Sequence, residues 1–329
     1  MAERHIIDEA KAALMGDPVA LFVANREAMR AVFPGQGLLV QGLCAFLCAP
    51  KGILLDAERV KDMRQLVRSR TGAFSAFRGM PLLKISTLLS TSLMPDSDFE
   101  RVQKQYETFR QAGFGNSSYL AEAAFWPLLY GETLELETCQ TANDMLAAQR
   151  KAHPFLDAQP GYGYALCLAA AGAGAAAAHA ETEHGYALLK KKFPAAGTSY
   201  ALARVLMLGQ GGMAHHCERV IALYDALRAR GLKYGRYHEL PLLGLFSLLP
   251  QDAEALAEGI AQADERLKLE KGFKSWTTGQ ANRLLFSLGL CAMGMPDLEE
   301  RYKTLLAQGL MQAVLGLMIA AATSAAASS

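Results

Sequence analysis

The densest group of metal-binding residue types in this sequence is His215-His216-Cys217. Imidazole and thiolate groups are zinc ligands, and a structural zinc site needs four of them. Adjacent side chains on one element point apart, and no second pair of ligands stands nearby in the sequence. We therefore expect these residues to lie at the start of a helix, with neutral imidazoles because positive charge is unfavourable there. The sequence predicts no metal site.

Two glycine-rich stretches have the composition of phosphate-binding loops. Gly172-Ala173-Gly174 has the glycine spacing of a dinucleotide-binding turn, but such a turn needs a preceding strand and an acidic residue about 20 positions later. The residues before it are alanine-rich and helical, and position 192 is a lysine. The stretch 209–212 lacks the following Gly-Lys-Ser/Thr that holds a phosphate and magnesium. The sequence therefore predicts no cofactor and no catalytic constellation.

Other cysteine and histidine pairs also have simple structural explanations. Cys44 and Cys48 lie four positions apart, as zinc ligands on a helix can, but apolar residues surround them and favour core packing. His179 and His184 are five positions apart, about 140° around a helix, so their side chains do not converge. The 6 cysteines lack the dense spacing of a disulfide scaffold. All six are expected to be reduced core residues.

The elements that carry these residues recur along the chain. Glu100-Arg101-Val102 returns as Glu218-Arg219-Val220, and the flanking Tyr, Arg and Gly residues return at the same separation of 118 positions without a gap. Apolar positions in each copy step by three and four, as one face of a helix does. A further Glu-Arg-Val begins at Glu58, 42 positions before Glu100, which is about the length of one helical hairpin. The sequence therefore predicts an internal two-fold duplication of helical hairpins.

The predicted fold is all-α, an array of helical hairpins. Alternation of Val, Ile, Thr and aromatic residues with period two is missing, while Ala, Leu and Met dominate. The array is either an open α-solenoid (an α/α superhelix) or a closed ring. We divide it into N-terminal capping helices (1–36), a first repeat half (37–160), a second repeat half (161–295) and a C-terminal apolar helix (296–329).

Charge and hydropathy limit the classes of partner. The net charge is +1, with 33 basic and 32 acidic residues, so the chain lacks the overall positive charge that attracts nucleic acid. The N-terminal residues carry charges where a signal peptide needs an apolar stretch, and a cytoplasmic location is expected. The uncharged stretches 161–180 and 309–329 are rich in alanine, and we expect neither to span a membrane.

The two halves differ most in the turn that follows the repeated helix. Residues shared by both copies are most simply explained by packing, so function is expected where the copies differ. In the first copy the turn 113–119 has no charge, whereas in the second it alternates bases with aromatics. Such a loop can hold an anion or an acidic peptide through charge-assisted hydrogen bonds and cation–π contacts. The predicted ligand-binding residues are Lys233, Tyr234, Arg236, Tyr237 and His238.

A resemblance to a known family covers nearly the whole chain. The segment Ala152-His153-Pro154-Phe155-Leu156 before an apolar helix, the Tyr-rich Leu-Leu helices and the alanine-rich C-terminal helix resemble an uncharacterised bacterial family of all-helical proteins, a domain of unknown function. The chain departs from the family's pattern by replacing polar positions with Ala158-Gln159-Pro160. The resemblance implies no activity and no site residue.

The leading hypothesis is a non-catalytic binding or scaffold protein that holds a peptide or protein in a helical-repeat groove. The first alternative is an enzyme, in which six hairpins close into an α/α toroid whose axial pocket gathers carboxylates from different repeats. The second is peripheral membrane association through the C-terminal helix, which is otherwise expected to pack on the last repeat or to form a homo-oligomer. Converging carboxylates in a closed cavity favour the enzyme, and a broad open groove favours the binding protein.

Overall fold

A computed structural model of the protein describes residues 16–48, 52–235, 239–274 and 279–295, together with residue 306. Every regular element in these ranges is helical, which confirms the predicted all-α class. Numbered in chain order, the α-helices are α1 (Pro18–Val32), α2 (Leu38–Phe46), α3 (Ala57–Arg70), α4 (Met80–Ser90), α5 (Pro95–Gln111), α6 (Ser118–Ala123), α7 (Trp126–Tyr130), α8 (Leu136–Ala152), α9 (Tyr162–Ala170), α10 (Ala175–Leu189), α11 (Ala196–Leu206), α12 (Met213–Ala229), α13 (Leu240–Ser247), α14 (Ala253–Leu269) and α15 (Gln280–Met293). None of them is long and apolar enough to cross a membrane.

Long amphipathic helices alternate with short apolar ones. The amphipathic helices bury one stripe of residues, as α3 does with Val60 and Val67. The apolar helices are largely buried, and in α4 every residue from Pro81 to Ser90 is buried. A helix that is apolar all round belongs in the interior. We call α1, α3, α5, α8, α10, α12 and α14 the outer helices, and α2, α4, α6, α9, α11, α13 and α15 the inner helices.

The seven hairpins formed by the described residues close into a ring. Each inner helix contacts the next, from α2 through α4, α6, α9, α11 and α13 to α15, and α15 contacts α2. The outer helices follow the same order, and α14 contacts α1. The first and last hairpins are therefore neighbours. The array is a closed ring of seven hairpins, and the inner helices line its inner side.

The junction between the last and first hairpins, which we call the seam, joins residues about 250 positions apart. Rings of Phe22, Phe46, Phe273 and Phe286 pack together there, with the closest pair, Phe22 and Phe286, 4.9 Å between centroids. At the rim, Arg266 Nη2 lies 2.6 Å from Asp17 Oδ2. Burial of aromatic rings is a strong apolar contribution, and edge-to-face pairs add to it. The seam is therefore part of the core.

The arginine of each Glu-Arg-Val tripeptide ties an outer helix to the end of a short apolar helix that follows it. Arg59 Nε donates to Ser90 O at 2.7 Å, Arg219 Nε donates to Ser247 O at 2.8 Å, and Arg101 donates to the carbonyl of Gly131. The last carbonyls of a helix have no partner within it, and these guanidinium groups supply one. The tripeptide thus makes the same type of contact in the three hairpins that carry it.

The outer helices start in a regular register. α1, α3 and α5 begin at positions 18, 57 and 95, and α8, α10 and α12 begin at positions 136, 175 and 213, each 118 later. The interpretation of this spacing as an internal duplication stays a prediction. The predicted boundary between 160 and 161 falls between α8 and α9, which pack together as one hairpin.

α5 begins at Pro95, because proline is favoured in the first turn of a helix, and no side chain caps this end. The second predicted N-terminal helix is present as α1, capped by Asp17. The first lies outside the described residues, as does all of the predicted C-terminal helix except position 306.

Candidate functional site

The predicted binding loop is only partly described, and its described residues differ from each other. Lys233 is exposed, and its backbone N–H donates to Gln280 Oε1 at 3.2 Å. Tyr234 is buried, and its hydroxyl donates to the Glu239 carbonyl at 2.8 Å. Burial also raises the pKa of Tyr234 well above its usual value. Its ring is therefore a core element. Arg236, Tyr237 and His238 lie outside the described residues, and binding by this loop stays a prediction.

The histidine and cysteine clusters take the structural roles expected of them. His215 and His216 lie in the first turn of α12, and the His216 ring is buried with Nε2 3.1 Å from Gln210 O. Cys44 and Cys48 are buried, and burial raises the pKa of the Cys44 thiol to about 12. No group of three or more metal-type ligands converges within the described ranges.

The ring has two faces of opposite charge. Successive helices joined by short connections run in opposite directions, so the connections from outer to inner helices share one face. We call this the basic face, and its exposed basic residues include Arg30, Arg68, Arg70, Arg110, Arg150, Lys151, Lys190, Lys191, Arg228, Lys233, Arg266, Lys271 and Lys274. The acidic face, at the opposite ends of the outer helices, carries Asp56, Glu58, Asp96, Asp98, Glu132, Glu135, Glu137, Asp252 and Glu254. The two sets meet where the end of one outer helix lies beside the start of the next, as at Arg70 and Asp96. Bases near the ends and acids near the starts of the outer helices interact favourably with the helix dipole.

Part of this charge is neutralised between neighbouring hairpins. Arg70 Nη2 lies 2.8 Å from Asp96, and Arg230 Nη1 lies 2.6 Å from Glu254. Lys192 pairs with Asp225 at 2.7 Å. These pairs are exposed, so each stabilises the fold only slightly.

A cleft of about 740 Å³ opens on the basic face at the seam, which is within the usual range for ligand sites. Its lining comes from the first and last hairpins only. The lining residues are Arg26, Glu27, Arg30, Pro34, Gln36, Gly37, Leu38, Gln41, Leu269, Lys271, Gly272 and Lys274. Four of the five charged side chains among them are basic. We call this feature the seam cleft.

Arg26 is the most unusual residue of the seam cleft because it is 2% exposed yet only partly paired. Its Nη2 donates to Lys271 O at 2.6 Å and to Glu27 Oε1 at 2.8 Å, and its guanidinium carbon lies 4.3 Å from the centre of the Phe273 ring. Its Nε and Nη1 are buried without a hydrogen-bond partner. The bond from Arg26 lowers the pKa of Glu27, which therefore stays ionised at neutral pH.

Gln41 and the start of α2 add further polar groups to the same cleft. The amide nitrogen of Gln41 donates to the carbonyls of Phe33 and Gln36, whereas its Oε1 is buried without a partner. Gly37 precedes α2 and provides no side-chain cap, so the first N–H groups of α2 have no side-chain acceptor. Buried polar groups are normally paired. The wall of the cleft therefore contains buried donors of Arg26 and a buried acceptor of Gln41 that have no partner.

A second polar cluster lies on the outer wall between α8, α10 and α11. His153 Nε2 lies 2.8 and 3.0 Å from the two Glu183 oxygens, and His179 Nδ1 lies 3.8 Å from Glu183 Oε1. The Tyr200 hydroxyl lies 3.4 Å from His179 Nδ1, and burial raises the pKa of this tyrosine. A tyrosine with a raised pKa stays protonated, so it orients its neighbours instead of accepting a proton. The three elements are held together by this cluster.

The inner helices contain one acidic residue among their described positions, Glu122 on α6. Its Oε2 lies 2.6 Å from Lys84 Nζ, both side chains are almost fully buried, and its Oε1 has no partner. Burial raises the pKa of Glu122 to about 7, against the opposing effect of Lys84, and burial lowers the pKa of Lys84. A single carboxylate paired with lysine is not the set of converging acids that the enzyme alternative requires.

The seam cleft could not be found from sequence motifs. Its arginines and lysines belong to segments about 240 positions apart, and only ring closure brings them together. The one local indication was Gly37, which precedes an apolar helix and has no side chain that could cap it.

Comparison with protein families identifies the chain. A family model described as a protein of unknown function (DUF4003) matches residues 35–323, which include every described helix except α1. Comparisons with curated proteins and with solved structures give no match. The match agrees with the resemblance to a domain of unknown function drawn from Phe155 and its neighbours. The chain belongs to the family described as protein of unknown function DUF4003.

Proposed function

We propose that this protein is a non-catalytic binding module whose seam cleft holds an acidic segment of a protein partner. The observation that carries the proposal is the buried Arg26, whose Nε and Nη1 lack hydrogen-bond partners beside a cleft of about 740 Å³. A buried donor without a partner costs about 1–3 kcal/mol, so a ligand that satisfies it recovers that free energy. A carboxylate is the acceptor that best fits a guanidinium group.

A peptide suits this cleft better than a simple anion. Arg26 needs an acceptor, whereas Gln41 Oε1 needs a donor, and a peptide with an acidic side chain supplies both a carboxylate and backbone N–H groups. Arg30 and Lys271 at the cleft are exposed and add positive charge that attracts an acidic chain. Because the turn 270–274 packs on Arg26, the ligand reaches the guanidinium by displacing this turn. Such local shifts are common in binding.

The geometry gives the enzyme alternative less support. Hydrolysis by paired carboxylates requires two acids that face one substrate. The inner helices supply Glu122 alone among the described residues, and it is paired with Lys84 in the packed interior. Association through the C-terminal helix concerns residues outside the described ranges. A binding role through the basic face therefore has the better physical basis.

The test is fluorescence anisotropy with a fluorescein-labelled decapeptide of Glu and Asp, compared with the same length of Gln and Asn. The double variant Arg30→Ala/Lys271→Ala is expected to weaken binding of the acidic peptide at least about tenfold, because two cleft charges are lost. Arg26→Lys is expected to weaken it similarly, because lysine keeps the charge but lacks the guanidinium fork. Urea unfolding of each variant shows whether it is folded.

The matched control is Lys190→Ala/Lys191→Ala, which removes two exposed charges from the same face but far from the seam. It is expected to bind the acidic peptide within about threefold of the unmodified protein, since distant exposed charges are screened by salt. Equal losses in the cleft variant and in this control would mean that the general field of the basic face binds the peptide. Binding of the neutral peptide with equal affinity would also contradict the proposal.

A further inference from the structure

Three large apolar side chains project from the basic face with nothing packed on them. Phe74 lies in the connection between α3 and α4, Phe155 in the connection between α8 and α9, and Leu269 at the end of α14. Their exposures are 103%, 98% and 84%. Single exposed apolar residues are common, but two aromatic rings and a leucine that are this exposed on one face form a set. We call these residues the three tips.

Basic residues flank each of the three tips. Phe74 lies between Arg70 and Arg78, and Phe155 lies between Arg150-Lys151 and Asp157. Leu269 lies between Lys268 and Glu270-Lys271. Arg70 pairs with Asp96 and Glu100, and Lys268 with Asp264 and Glu265, so the attraction for anions comes mainly from the other bases. Each tip therefore combines an apolar group with neighbouring positive charge.

The three tips are distributed around the ring. They belong to the second, fourth and seventh of the seven hairpins, so one or two hairpins separate each tip from the next. Three points on one face define a plane, and a flat partner can touch all three at once. A peptide in the seam cleft reaches Leu269 but not the other two. The occupant of the tips is thus different from the occupant of the cleft.

We propose that the basic face docks on the surface of an anionic lipid bilayer, with Phe74, Phe155 and Leu269 inserted between the headgroups. Apolar side chains gain free energy at the acyl boundary, and nearby lysines and arginines are attracted by acidic lipids. Both features are required, because a single weak signal gives only marginal binding. No described helix crosses a membrane, so the association is peripheral.

Nucleic acid is the other partner that combines positive charge with aromatic side chains. Single strands stack successive bases on aromatics that follow one groove. Phe74 and Phe155 lie two hairpins apart, so one strand cannot stack neighbouring bases on both. A bilayer meets the separated tips without this constraint.

The experiment is co-sedimentation of the full chain with vesicles of phosphatidylcholine, with and without about one third phosphatidylserine. The unmodified protein is expected to bind the anionic vesicles and not the neutral ones, and to lose binding at high salt. Phe74→Ser/Phe155→Ser is expected to reduce partition into anionic vesicles at least about tenfold. Both positions lie outside the seam cleft, so this variant keeps its affinity for the acidic decapeptide.

The matched control is Leu93→Ser/Met94→Ser, which removes two exposed apolar side chains, at 96% and 67% exposure, from the acidic face. It is expected to bind vesicles as well as the unmodified protein. Equal binding by the tip variant, or loss of binding only on removal of residues 309–329, would overturn the proposal. Binding of a mixed-sequence single-stranded RNA that falls with the tip variant, without any binding of vesicles, would overturn it as well.

Discussion

Individual residues in this protein are explained by their pairing rather than by their type. Lys84 and Glu122 are charged, yet they belong to the packed interior because each satisfies the other across two inner helices. The orphan oxygen of Glu122 and the raised pKa of about 7 show that the pairing is incomplete. A buried ion pair of this kind is weak evidence for stability, since desolvation of both charges opposes their attraction.

Substitutions of Lys84 and Glu122 distinguish the destabilisation caused by one unpaired buried charge from the contribution of the ion pair to the free energy of unfolding. Lys84→Met is expected to lower the free energy of unfolding by about 3–5 kcal/mol, because it leaves Glu122 buried without its partner. Lys84→Met/Glu122→Leu is expected to lie within about 1 kcal/mol of the unmodified protein or above it. Urea unfolding at pH 7 measures both values. A double variant as unstable as the single one would mean that the pair itself holds the two inner helices together.

At the scale of elements, the repeated arginine has the clearest structural role. Arg219 on α12 donates to three carbonyls around the end of α13, those of Ser247, Leu249 and Gln251. Its counterparts on α3 and α5 make the same type of contact. The sequence alone indicates that Glu-Arg-Val recurs with the hairpins. It does not show the contact, because the carbonyls that accept carry no signature in their residue type.

The substitution Arg219→Met measures how much these hydrogen bonds contribute to the free energy of unfolding. We expect a loss of about 2–3 kcal/mol in the free energy of unfolding, since the substitution leaves partly buried carbonyls without a charged donor. Arg219→Lys restores only part of it, because one ammonium group cannot serve all three acceptors. Arg228→Met on the same helix is the control, and its exposed position predicts a change within about 0.5 kcal/mol. Similar losses in both variants would assign the effect to helix α12 itself.

For the whole molecule, closure of the ring is the decisive property. Asp17 caps α1 and also pairs with Arg266 of the last hairpin. Burial opposes ionisation, but the hydrogen bonds from Ala20 N–H and Arg266 prevail and lower the pKa of Asp17. A carboxyl group whose folded pKa is below its unfolded value of about 3.9 contributes stability above that value. The contribution is lost as the pH falls through the folded pKa.

Asp17→Asn tests this contact across the seam. Asparagine keeps the helix cap but loses the ion pair, so we expect a loss of about 0.5–1 kcal/mol at pH 7, in the range of exposed pairs. The difference from the unmodified protein is expected to be smaller at pH 3 than at pH 7, because the contribution of the lowered pKa is lost as the pH falls below the unfolded value of about 3.9. Urea unfolding at the two pH values measures it. Asp252→Asn is the control, because Asp252 caps α14 but pairs with no base across the seam. If its loss of unfolding free energy depended on pH in the same way, the result would contradict this role for the seam.

The whole molecule also shows why net charge was a poor guide to surface potential. A net charge of +1 suggests no field, yet bases gather on one face and acids on the other. The segregation follows from helix direction, because the outer helices all end on the basic face. Six of the seven carry a base in the last turn, as α3 does with Arg68 and Arg70, and in α10 the lysines follow the helix. Only the arrangement of the helices converts this local preference into two faces.

The sequence by itself determined the helices, their order and the residues that face the interior, because hydrophobic periodicity and repeated tripeptides act over one hairpin. It left open whether the array closes, since closure depends on a small rotation added at each of seven hairpins. Tertiary structure decided that α14 and α15 meet α1, and this contact alone creates the seam cleft beside Arg26. It also placed Tyr234, predicted as a ligand contact, in the core. Local patterns fix what each helix buries, whereas a site between the first and last hairpins exists only after the ring has closed.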